Sequence, residues 1–246
     1  MISTIRIVCG LSAAALAATV LAGCSNASRL NLRCVAGDLQ RCRQLGDMYA
    51  SGNGVRQDFG QAAYLYERVC DAGIGEVCNT LGQIYEHVPG FESESGRVEG
   101  LYQRACNANS ADGCMNLGLI AYDREDYEQA AALFERSCIG GSEGGCHHLA
   151  ISFENGQGVN KDVQRAVALF EQSCNAQYME SCETLAKLFT EGVVVPKDMV
   201  RAIGYYDQIV TIYSDSCDAG NTLDCRERDR FKTRVDMLRA VLASQR

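Results

Sequence analysis

The chain has 246 residues, a formal charge of −8 and 14 cysteines against three histidines. An acidic balance excludes the basic surface that nucleic-acid binding requires. So many cysteines with so few other metal ligands point to disulfides in an oxidising compartment rather than to structural zinc.

At the N-terminus Arg6 precedes the apolar run Ile7 to Val20, and no acidic residue occurs before Asp38, which reads as a secretory signal. The run is short for a membrane-spanning helix. It ends in Leu21-Ala22-Gly23-Cys24, which resembles the lipobox of bacterial lipoproteins. The resemblance implies that residues 1–24 form a lipoprotein signal and that Cys24 becomes the lipid anchor. Cys9 is then discarded with the signal. Ser25 follows where aspartate would imply inner-membrane retention, so the expected address is the outer membrane, facing the periplasm. A plain cleaved signal and an uncleaved anchor are the alternatives. The mature charge would be 22 − 31 = −9. Residues 25–33 read as a short tether.

From Cys34 the chain repeats a cysteine, seven residues and a cysteine. The pairs are Cys34/Cys42, Cys70/Cys78, Cys106/Cys114, Cys138/Cys146, Cys174/Cys182 and Cys217/Cys225, with first members 36, 36, 32, 36 and 43 residues apart. That period belongs to helical repeat arrays. On one continuous helix the two sulfurs would be about 12 Å apart, beyond bridging distance. The third residue after each first cysteine is Gly37, Gly73, Asn109, Gly141, Gln177 or Gly220. Glycine and asparagine accept the left-handed backbone just past a helix end. The first cysteine of each pair is therefore expected to close one helix and the second to open the next, with the bridge stapling the hairpin. Buried free thiols are the alternative.

Along the array, leucine stands three positions after the second cysteine (Leu45, Leu81, Leu117, Leu149, Leu185). A small residue follows it (Gly46, Gly82, Gly118, Ala150, Ala186), and an aromatic stands at plus seven (Tyr49, Tyr85, Phe153, Phe189), with Ala121 as the exception. These offsets mark one helix face. Glycine loops come next, Gly52-Asn53-Gly54-Val55 and Gly156-Gln157-Gly158-Val159. The second helices carry Leu65/Tyr66, Leu101/Tyr102, Leu133/Phe134 and Leu169/Phe170 before their cysteines. The third repeat lacks its glycine loop. The fifth is seven residues longer, Asp207 to Tyr213, nearly two helical turns, so its buried face is preserved and Tyr213 regains the aromatic place four before Cys217.

This pattern resembles the Sel-1-like repeat, a relative of the tetratricopeptide repeat. With the cysteine pairs it resembles the Helicobacter cysteine-rich protein family. The resemblance implies an all-α fold, an α/α solenoid of disulfide-stapled helix pairs over residues 34–225. Residues 226–246 are expected to form a capping helix with Val235, Leu238, Val241 and Leu242 on one side. It carries seven basic and three acidic residues, which read as a solvated cap.

No catalytic set emerges. Gly140-Gly141-Ser142-Glu143-Gly144 matches Gly-x-Ser-x-Gly, but a nucleophile elbow needs a strand before it, and here a helix precedes. Penicillin binding or weak β-lactam hydrolysis is what the cysteine-rich family implies, yet no serine stands three before any lysine (Lys161, Lys187, Lys197, Lys232). Neither cofactor nor metal is expected. The reading is a non-enzymatic module, monomeric, that binds a protein or an extended peptide. An immunity protein neutralising a secreted toxin or phospholipase effector is the special case. The expected contact column lies two and five residues after each second cysteine: Gln44, Asp47, Thr80, Gln83, Asn116, Leu119, His148, Ile151, Thr184 and Lys187. The alternative is the wet side of the helices, with Leu119 and Ile151 touching each other.

Overall fold

The structure, a computed structural model, describes residues 26–91 and 95–244. The expected signal and Cys24 lie outside the described residues. Twelve helices are found among them, and no strand. In chain order they are α1 (Asn26–Val35), α2 (Leu39–Ser51), α3 (Phe59–Asp71), α4 (Gly75–His87), α5 (Ser95–Asn107), α6 (Ala111–Asp123), α7 (Tyr127–Ile139), α8 (Glu143–Asn155), α9 (Val163–Asn175), α10 (Met179–Glu191), α11 (Met199–Asp218) and α12 (Thr222–Ser244). The described residues divide into two compact units, with the boundary between Gly113 and Cys114. Within each, helices adjacent in sequence pack as antiparallel hairpins joined by short turns.

The hairpin turns follow from backbone preference. All six third residues are left-handed, from Asn109 at φ 62° and Gln177 at 69° to Gly220 at 100°. Each turn brings its cysteines within bridging range. Cα–Cα distances run from 4.4 Å in Cys138–Cys146 to 4.8 Å in Cys70–Cys78 and Cys174–Cys182, with Cys34–Cys42 and Cys217–Cys225 between. Cys106 and Cys114 are disulfide-bonded too. Each bridge closes a short loop and contributes about 2–3 kcal/mol in the chain-entropy account.

The second helices start at a fixed signal. The carboxylates of Asp58, Asp126, Asp162 and Asp198 accept from the backbone N–H three residues on, at 3.0–3.2 Å. Such a cap stabilises a helix by about 1 kcal/mol. Four residues after each aspartate an alanine (Ala62, Ala130, Ala166, Ala202) is buried against the first helix. The leucines Leu45, Leu81, Leu117, Leu149 and Leu185 are all at most 6% exposed. The small position works as expected. A Cβ on Gly46 would lie 2.6 Å from the Tyr66 ring, one on Gly82 2.6 Å from Tyr102, and one on Gly118 2.7 Å from Phe134. The aromatics at plus seven acquire lids: Arg97 over Tyr85, Arg165 over Phe153 and Arg201 over Phe189, at 3.9–4.2 Å.

Three expectations need correction. The stretch read as a tether is helical from Asn26, because Leu30 and Cys34, one turn apart, bury against the first unit's core. The α11 helix does absorb the insertion and reaches 20 residues. The buried aromatic, however, is Tyr206, eight after the Asp198 cap as Tyr66 is eight after Asp58. Tyr213 is only half-buried and stacks on Phe231 at 5.9 Å. In α12 the anchors are Phe231 and Val235, with Leu238 and Leu242 packed beside them, while Val241 is exposed.

Candidate functional site

Each unit presents the solvent side of its first helices, and the expected contact column divides accordingly. In the first unit Asp47 and Gln83 are exposed, and Gln44 and Thr80 half-buried. Gln44 accepts from Arg41 at 2.7 Å, and the Thr80 hydroxyl donates to the Glu76 carbonyl. Asp47 is held from beneath, because the buried Tyr66 hydroxyl donates to its carboxylate at 2.7 Å. The Tyr102 hydroxyl likewise donates to Glu86 at 2.5 Å. Burial first, then the adjacent carboxylate, pushes both phenols well above their ordinary value, so each hydroxyl keeps the proton it donates. The first-unit face therefore carries two positioned carboxylates. Glu86 was not among the predicted residues; the available signal was tyrosine rather than phenylalanine four before the cysteine.

In the second unit the column is less open. Asn116, Leu119, His148, Ile151 and Thr184 are half-buried, and only Lys187 is exposed, paired with Glu183 at 3.0 Å. Leu119 and Ile151 pack against the core rather than standing free. His148 stacks on Phe134 with ring centroids 5.1 Å apart. Its neighbour His147 is buried where α8 meets α10, and its Nδ1 shares a hydrogen bond with Ser181 Oγ at 2.8 Å. Phe170 and Tyr178 flank the His147 ring at 5.3 and 5.4 Å. Burial, with a smaller push from His148, lowers the His147 pKa to about 4. Burial lowers His148 as well, partly opposed by Glu180.

Ser142 of the Gly-x-Ser-x-Gly stretch is the N-cap of α8. It is buried, and its hydroxyl oxygen accepts from the Gly145 N–H at 3.3 Å. Ser181, although bonded to a histidine, is fully buried. Among the described residues no group of three His, Cys, Asp or Glu is placed to hold a metal, and no helix is long and apolar enough to cross a membrane.

Capped, bridged hairpins with a leucine–small–aromatic seam define an α-helical repeat protein. The chain belongs to the Sel1 repeat family: the repeat matches residues 42–74, 111–142, 145–178 and 180–209. The repeat opened by Cys78 is outside those matches, yet it folds as the hairpin of α4 and α5. No curated protein sequence matches the chain. Among solved structures, a Sel1 repeat protein from Oxalobacter formigenes is 22% identical over 70% of this chain and 72% of its own, with a TM-score of 0.62. An immunity protein from Pseudomonas aeruginosa is 16% identical over 76% of this chain and 73% of its own, with a TM-score of 0.51. Cysteine-rich protein B of Helicobacter pylori is 26% identical over 55% of this chain and 99% of its own, with a TM-score of 0.42.

Proposed function

We propose that the protein is a non-enzymatic protein-binding module of the bacterial envelope, anchored by a lipid on Cys24 and facing the periplasm from the outer membrane. The observation that carries the reading is the first-helix face of the first unit. There two buried tyrosines fix the carboxylates of Asp47 and Glu86 in place, beside the exposed Gln83. Preorganised acceptors on a rigid helix face favour recognition of a macromolecular surface, since no ordering entropy is spent at binding. The six bridges fit an oxidising, extracytoplasmic compartment.

The test is capture from envelope extract with crosslinking, using the wild type and a variant carrying Asp47→Lys and Gln83→Lys. A partner protein retained by the first and lost from the second supports the reading. No protein partner at all, even after crosslinking, counts against it. Cys24→Ser tests the anchor: the variant is expected in the soluble fraction, and a membrane-bound variant rejects the lipoprotein reading. Neutralisation of a secreted toxin is the special case, suggested by the immunity protein of the same fold. A toxin or lipase gene beside this one would favour it.

A further inference from the structure

The disulfides differ in what covers them. In three of the earlier bridges a long polar side chain from the second helix of the following repeat reaches the sulfurs. Arg68 Nη1 lies 3.3 Å from Cys34 Sγ, Gln172 Nε2 3.5 Å from Cys146 Sγ, and Gln208 Oε1 2.8 Å from Cys174 Sγ. Both residues of Cys34–Cys42, Cys70–Cys78 and Cys174–Cys182 are at most 3% exposed. The last bridge is built otherwise. Cys217 and Cys225 are both half-buried, whereas Cys138–Cys146 is open at one end alone. The group on the last bridge comes from α12 itself: Arg228 Nη1 donates to Cys217 Sγ at 3.1 Å while its other nitrogens pair with Asp229.

Thiol–disulfide exchange needs two things from a bridge: a path for a thiolate to one sulfur, and a good leaving group in the other. Half-burial of both cysteines supplies the path. A guanidinium beside Cys217 stabilises the departing thiolate by a charge-assisted hydrogen bond. We propose that Cys217–Cys225 is the exchange-active bridge of the array, the place where an incoming thiol or dithiol modifies the protein while the buried bridges stay closed. In the first step a thiolate forms a bond to Cys225 Sγ as the Cys217–Cys225 bond breaks, and the electron pair leaves on Cys217 Sγ, held by Arg228. With a dithiol, the second sulfur gives up its proton and attacks the mixed disulfide, releasing Cys225. The dithiol becomes a disulfide and the bridge has gained two electrons. Once opened, α12 keeps Phe231 and Val235 in the core, so the array persists while the turn from Ala219 to Thr222 is untied.

The experiment exposes the oxidised, folded protein to low dithiothreitol, quenches aliquots with iodoacetamide and maps the alkylated peptides. Cys217 and Cys225 are expected to be labelled first, by roughly tenfold or more over any other pair. Arg228→Gln should slow that labelling several-fold, and Arg228→Lys should restore it. With glutathione in place of the dithiol, the mixed disulfide should sit on Cys225. Simultaneous opening of all bridges, first opening at a buried pair, or an Arg228→Gln rate equal to wild type would overturn the proposal. The order of opening in the unmodified protein decides the matter even if the variant folds poorly.

Discussion

Acidification should loosen the second unit, chiefly through one side chain. His147 is neutral in the fold because burial lowers its pKa from 6.5 to about 4. The groups facing it, Ser181, Phe170, Tyr178 and His148, include no carboxylate. In the unfolded chain the same imidazole takes up a proton near 6.5. The stabilising difference is therefore intact above that value and is lost as pH falls toward 4, since the unfolded state binds the proton first. Between neutral pH and pH 5 the linkage amounts to about 2 kcal/mol, or about 1 kcal/mol once partial solvent access to the ring is allowed for. His147→Gln keeps a hydrogen-bonding group toward Ser181 but cannot titrate. Hydrogen exchange of α8 and α10 amides should accelerate at pH 5 in the wild type by roughly fivefold to thirtyfold relative to neutral pH, after correction for the intrinsic rate. The variant should lack the His147 share of that acceleration while keeping whatever His148 and the carboxylates contribute. Equal pH dependence in the two proteins would refute the reasoning.

Other consequences are simpler to test. Gly46→Ala drives a methyl into the Tyr66 ring, and the urea midpoint of the first unit should fall by the equivalent of about 1–3 kcal/mol. Tyr206 and Tyr66 should respond oppositely to loss of the hydroxyl. Among the described residues the buried Tyr206 Oη has no hydrogen-bond partner within bonding geometry, only the Arg234 guanidinium over its ring, so Tyr206→Phe should be neutral or stabilising, whereas Tyr66→Phe should cost about 0.5–1.5 kcal/mol by releasing Asp47. Thermal melts of the two variants decide it. Ser142→Ala removes the α8 cap and should cost about 1 kcal/mol. The oxidised wild type should show neither turnover nor a covalent adduct with a chromogenic cephalosporin; either would restore the β-lactam reading.

Much of the hairpin architecture could be read from sequence because one constraint, chain reversal, leaves two marks. A left-handed residue and a paired cysteine each demand it, and they recur together six times. The aspartate caps and buried alanines also recur at a fixed offset in the sequence, Asp58/Ala62, Asp126/Ala130, Asp162/Ala166 and Asp198/Ala202. The register of α11 was not, because it was counted backward from Cys217. The helix is set by its start at Asp198, and from there Tyr206 falls on the core and Tyr213 seven residues beyond. Leu30, one turn before Cys34, was the clue that the supposed tether is a helix. The His147–Ser181 contact lay out of reach, since it joins residues 34 apart on two helices whose approach depends on everything between them.

Every bridge with a described partner joins residues only eight apart. Twelve sulfurs could in principle be joined in on the order of ten thousand ways. Nearest-neighbour pairing removes that search, because each cysteine meets its mate as soon as its own turn has formed, with no need for distant repeats to have folded first. Oxidation can thus proceed hairpin by hairpin once the chain reaches an oxidising compartment, and mispaired isomers needing reshuffling should be scarce.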